Sequence, residues 1–125
     1  MVFVIAGIHR SGTSMVARLL NLCGAYLGEE KELIPAAEDN PEGFWENARF
    51  HEINEEILAS FGGSWDFPPV LETGWETSDN LSQIRPRVNN LIYEFLPHRI
   101  WGWKDPRNSL TLPYWKTLFP DLKVV

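Results

Sequence analysis

Arg10-Ser11-Gly12-Thr13-Ser14 sets a guanidinium, a glycine and three hydroxyls in five consecutive positions. Together these types serve one chemistry, the binding of an anion. Arginine offers a planar fork to phosphate or sulfonate oxygens, hydroxyls donate to them, and glycine lets the backbone come close. A second cationic stretch, Lys104-Asp105-Pro106-Arg107, lies far downstream. Its Lys104 is a compact charge that can follow a developing negative oxygen. Between them Glu46 is the candidate general base, because a turn and two aromatics, Phe44 and Trp45, hold it and could raise its pKa by desolvation. Each feature also has an ordinary reading: a shaped turn and cap, a surface lysine paired with Asp105, and a glutamate favoured by the positive end of a helix.

The elements around the first stretch sharpen its meaning. Val2-Phe3-Val4-Ile5 is a continuous apolar run, as expected of a strand buried on both faces. After the loop from Gly7 to Ser14, the residues Met15, Val16, Leu19, Leu20 and Cys23 recur at helical spacing, and Gly24 falls where a helix C-cap would. A strand, a glycine-bearing turn and a helix aim backbone N–H groups and the positive helix end at one point. Gly7, Gly12 and Ser14 fit the Walker A spacing, but Thr13 stands where that pattern has lysine. The cation is displaced to Arg10, so the cradle suits something other than a magnesium-clamped triphosphate.

Further along, residues 25–40 are irregular and acidic, with Glu29, Glu30, Glu32, Glu38 and Asp39 read as a solvated loop. Asn40-Pro41-Glu42-Gly43 has the residues of a type I turn. Phe50, Ile53, Ile57, Leu58 and Phe61 keep helical spacing up to Gly62-Gly63. Residues 64–78 read as an ordered loop or lid, because Trp65, Phe67 and Trp75 would be costly left in water. A helix is expected from near Asp79 to Phe95, kinked or restarted at Pro86. A buried strand at Ile100 to Trp103, a helix from Ser109 to Phe119 and a strand starting at Leu122 complete the pattern. Strands alternating with helices indicate one α/β domain with a parallel sheet flanked by helices. If the first two strands are neighbours, Arg10 and Lys104 converge on one crevice beyond the strand ends.

The net charge of −6 provides no global attraction for nucleic acid or an anionic membrane. Hydrophobic content of 44% with six tryptophans argues for a packed core. The single Cys23, on the apolar helix stripe, is expected to be a buried free thiol, and no disulfide can form within one chain. No apolar run is long enough to span a bilayer and nothing resembles a signal peptide, so a cytoplasmic setting is expected. No His/Cys/Asp set stands at metal-ligand spacing. His51 and His98 fall on helical stretches and read as surface residues; His9 sits within the loop.

His9-Arg10-Ser11-Gly12-Thr13-Ser14 resembles the 5′-phosphosulfate loop of sulfotransferases that use 3′-phosphoadenosine 5′-phosphosulfate (PAPS). Asn40-Pro41-Glu42-Gly43-Phe44-Trp45-Glu46 and Gly102-Trp103-Lys104-Asp105-Pro106-Arg107 are similar to segments of bacterial sulfotransferases, and the second also to protein-tyrosine sulfotransferases. The resemblance implies a P-loop-like three-layer sandwich, truncated, with residues 1–125 as its N-terminal portion and without the segment that binds the 3′-phosphate. It implies PAPS as co-substrate, no metal, and a small-molecule, sugar or peptide acceptor bearing a hydroxyl or amine. Arg10, Ser11, Gly12, Thr13, Ser14 and Arg107 would bind the donor, and Lys104 and Arg10 would act on the transferred group. Gly28-Glu29-Glu30 is similar to the Gly-Glu-Glu that carries the base in protein-tyrosine sulfotransferases, which makes Glu30 the second candidate base after Glu46. The alternatives are a P-loop nucleotide or small-molecule kinase and an inactive phosphate-binding module.

Overall fold

The computed structural model describes residues 1–38 and 40–125; Asp39, read above with the acidic loop, lies outside the described residues. Three strands, β1 (Val2–Ile5), β2 (Trp101–Lys104) and β3 (Lys123–Val124), form a parallel sheet in the order β2-β1-β3. Among the described residues four α-helices accompany it: α1 (Thr13–Leu22), α2 (Ala48–Ala59), α3 (Arg85–Phe95) and α4 (Asn108–Leu118). The apolar run of β1 fits its central place, since a strand bonded on both edges and covered on both faces has no polar side. Phe3 and Ile5 pack with Ala17, Ala25 and Leu27, toward α1. Val4 points the other way, into the larger cluster of Phe50, Trp101, Trp103 and Trp115 that joins the sheet to α2, α3 and α4. Helices therefore cover both faces of the sheet.

The β1–β2 register brings Ile5 opposite Lys104 and Phe3 opposite Gly102. Gly102 is required there, because a Cβ would stand 2.7 Å from Cδ2 of Phe3. The two strands expected to carry the cationic loops are thus hydrogen-bonded neighbours that end at the same level.

Several expectations need correction. The helix read from Asp79 takes the restarted form of the two expected: Asp79–Leu81 is only a 3-10 turn, and α3 begins afresh at Arg85. Pro86 lies in its first turn, where a missing N–H has no intrahelical partner to lose. Cys23 is exposed, not buried, because it caps α1 beyond the last turn that packs on the sheet. Glu32 is not simply solvated: it bonds Arg49 at 3.2 Å, and Arg49 also grips Glu94. The aromatics of residues 64–78 divide, with Trp75 buried at 9% exposure while Trp65 and Phe67 remain 47% and 75% exposed.

Candidate functional site

Beyond Ile5 the chain turns through residues 6–12 before α1 begins. Arg10 adopts φ 63 and Gly12 φ 85, and the Ser11 hydroxyl donates to the Ile8 carbonyl at 2.6 Å. The turn is so tight at Gly7 that a Cβ there would lie 2.8 Å from Thr13 Cγ2. Gly12 is the N-cap of α1 and brings no side chain to cap it. The first-turn amides of α1 are therefore available to an external anion.

The second stretch folds as expected and then does something the sequence did not signal. Gly43 N–H donates to the Asn40 carbonyl at 3.0 Å, closing the turn. Trp45 then enters the left-handed region at φ 58, unusual for a bulky residue. Its indole N–H donates to the Glu42 carbonyl at 3.0 Å, and the Arg18 guanidinium lies 4.7 Å over its ring. The Ser14 hydroxyl donates to the Phe44 carbonyl at 3.2 Å, tying this segment to α1. Reversal at Trp45 turns Glu46 inward, to 6% exposure, just before Asn47 caps α2 by accepting from the Arg49 amide.

Glu46 meets Lys104, also buried, with Oε1 2.5 Å from Nζ. Its Oε2 lies 3.5 Å from His51 Nδ1, and that nitrogen is 3.4 Å from Arg107 Nη1. Arg107 in turn donates to Asp105 Oδ1 at 3.0 Å and pairs with Glu55. Burial alone would raise the Glu46 carboxyl, but hydrogen bonds from His51 and Lys104 hold it below its ordinary range. The same bond to Glu46 raises His51 against burial and the nearby Arg107. Burial pushes Asp105 up even though Arg107 opposes it.

One cleft of about 330 Å3 is lined by His9 to Ser14, Asn40, Phe44, Glu46, Lys104 and Pro106. All three sequence stretches thus face a single opening. Arg10, Ser11, Gly12, Thr13, Ser14, Glu46 and Lys104 come together there. Arg107 and Glu30 do not line it: Arg107 is turned into its carboxylate partners, and Glu30 sits exposed in a 3-10 turn at Glu30–Glu32. A second cavity of about 370 Å3 shares His9 and Pro106 with the first and adds Ile8, Trp65, Pro68 and Leu110. His9 contacts the Trp65 ring at 4.5 Å, so the loop histidine forms part of the wall between the two spaces.

His51 departs from its reading as a surface residue, being half-buried against Glu46 and Arg107; His98 is exposed as expected, stacked on Tyr26. Helical spacing alone could not reveal this, because the partners of His51 come from a loop preceding its helix and a loop over fifty residues away. The fold also brings donor atoms of Glu46, His51 and Asp105 within 4.8 Å of one another, a grouping absent from the linear spacing. Both carboxylates there already have cationic partners, Lys104 and Arg107, which a dication would have to displace. We assign no metal to it. No family model matches the chain, and neither a curated protein nor a solved structure matches it.

Proposed function

We propose that the chain is a sulfotransferase domain that moves a sulfuryl group from PAPS to a hydroxyl, with a P-loop-like cradle for the donor. The observation that carries this reading is the single cleft lined by all three stretches that resemble sulfotransferase segments. The 5′-phosphosulfate would lie on the residues from Arg10 to Ser14 and the first-turn amides of α1. Acceptor oxygen attacks sulfur in line; the new S–O bond forms as the bridging S–O bond breaks, and its electron pair leaves on the 5′-phosphate oxygen. Lys104 neutralises that developing charge, and Glu46 takes the acceptor proton.

The Lys104–Glu46 contact gives these roles an order. Lys104 Nζ is bonded to Glu46 at 2.5 Å. An anion arriving in the cleft competes for the ammonium. As Lys104 turns toward it, Glu46 loses a partner that holds its proton affinity down, and it becomes a better base. Donor binding would thereby switch on the base. The half-exposed Trp65 and the apolar lining of the neighbouring cavity suit the body of a flat, weakly polar acceptor.

Titration of adenosine 3′,5′-bisphosphate and of ATP, each with and without magnesium, tests the reading. The bisphosphate is expected to bind without magnesium. Tighter, magnesium-dependent binding of ATP would replace the sulfotransferase by the kinase.

A further inference from the structure

We propose that His51 is a positioning residue that shares a proton with Glu46 and carries it from the buried carboxyl toward solvent. The inference rests on Glu46 being the acceptor's base, and it answers a difficulty which that role creates. The Glu46 side chain is 8% exposed and lines the cleft that donor and acceptor would fill, so while they are bound a proton collected there has little direct route out. His51 is 29% exposed and touches the same carboxylate.

Nδ1 of His51 stands between a carboxylate oxygen of Glu46 at 3.5 Å and an N–H donor of Arg107 at 3.4 Å. Without a proton it accepts from Arg107; with one it donates to Glu46. Each state finds a partner, so neither is strongly preferred, which is what a transient proton carrier requires. The surrounding charges keep the balance close. Glu46 favours the imidazolium, Arg107 opposes it, and Asp105 behind Arg107 favours it again. Glu55, one turn along α2, faces this group through Arg107, and Lys104 faces it through Glu46. The step conserves atoms and charge: the acceptor O–H proton moves to Glu46, then to Nδ1, Nε2 releases its proton to water, and exchange with water returns the ring from the Nδ1–H to the Nε2–H tautomer. The carboxylate is thereby restored for another turnover.

The test follows the His51 ring nitrogens and the Glu46 carboxyl carbon by NMR across pH, in the full chain and in Glu46→Gln. His51 is expected to titrate above its ordinary value of about 6.5 and to fall back toward it in Glu46→Gln. Glu46 should show a second inflection where His51 titrates. Identical His51 titration in both proteins, with no such inflection, overturns the shared proton. In a sulfuryl-transfer assay His51→Ala should lower turnover about tenfold to a hundredfold, a share of what a general base contributes, with donor affinity unchanged. Added imidazole should restore turnover in proportion to its concentration. If Ala fails to fold, His51→Gln should show the same loss of turnover. A loss without imidazole rescue, or one confined to the Michaelis constant, overturns the relay. The titration decides the coupling whether or not the parent chain is active.

Discussion

Residues Trp103 to Asn108 supply two buried polar clusters of opposite character. At its ends, Trp103 Nε1 and Asn54 Nδ2 both donate to Asn108 Oδ1 at 3.0 Å, and Asn108 Nδ2 donates to the Ile5 carbonyl at 2.9 Å. Thr111 and Trp115 each donate to Asn54 Oδ1 at 2.8 Å. This cluster is neutral, and its bonds link β1, β2, α2 and α4. In the middle of the segment, Lys104, Asp105 and Arg107 enter a charged chain with Glu46, His51 and Glu55. Its central contacts are longer, and among the described residues Asp105 Oδ2 has no hydrogen-bond partner. A neutral, satisfied network locks a backbone position. A buried charged chain with slack can exchange partners, which is how a reactive site differs from a structural one. The first cluster holds Lys104 by fixing its neighbours; the second has its slack at His51.

The largest expected effect comes from breaking the neutral cluster. Asn108→Ala would strand Trp103 Nε1, Asn54 Nδ2 and the Ile5 carbonyl, each at about 1–3 kcal/mol, so a loss of at least about 3 kcal/mol should appear in urea unfolding. A loss under about 1 kcal/mol would mean that the bonds contribute little to stability. Glu46→Gln should reduce transfer by roughly 100-fold or more while donor affinity holds, since glutamine keeps the shape but takes no proton. If Glu30→Gln silences transfer and Glu46→Gln does not, the base lies in the other stretch. Lys104→Met should lower turnover about 100-fold, more than it weakens donor binding. An effect on the Michaelis constant alone would make Lys104 a binding group.

Smaller effects separate the clusters by pH. Glu46 is held low in the fold, so its pairing stabilises above its ordinary pKa of about 4.3 and is lost as pH falls through the folded value. His51 is held high, so its contribution is complete below about 6.5 and is lost as pH rises through the folded value. Melting temperature should therefore peak between these limits, and His51→Gln should flatten the alkaline side. An unchanged profile would detach His51 from the charged chain. Least of all, Glu55→Gln should cost about 0.5–1 kcal/mol, because that carboxylate is 35% exposed and solvent screens its pair with Arg107. Thermal melts at low and high salt would measure it.

Much of the frame was legible in the chain itself. An apolar β1, a glycine-bearing turn and a periodic α1 follow from local sterics and hydrophobic spacing, and so do the Asn40 turn and α2. Local propensity could not separate Trp75, which is buried, from Trp65 and Phe67, which are not, because that depends on what packs above each ring. The convergence of Arg10 and Lys104 required β1 and β2 to pair, and strand adjacency is a long-range choice that neither strand states alone. The surroundings of Arg107 were hidden for the same reason. Its residue type suits an anion, but Asp105 and Glu55 reach it first. The inward turn of Glu46 depends on Trp45 accepting a positive φ, which only surrounding contacts can impose on a bulky residue. Residue types determined which groups were able to bind an anion or carry a proton. Tertiary structure decided which of them share a cleft, because charge pairing acts over a few ångströms in space whatever the distance along the chain.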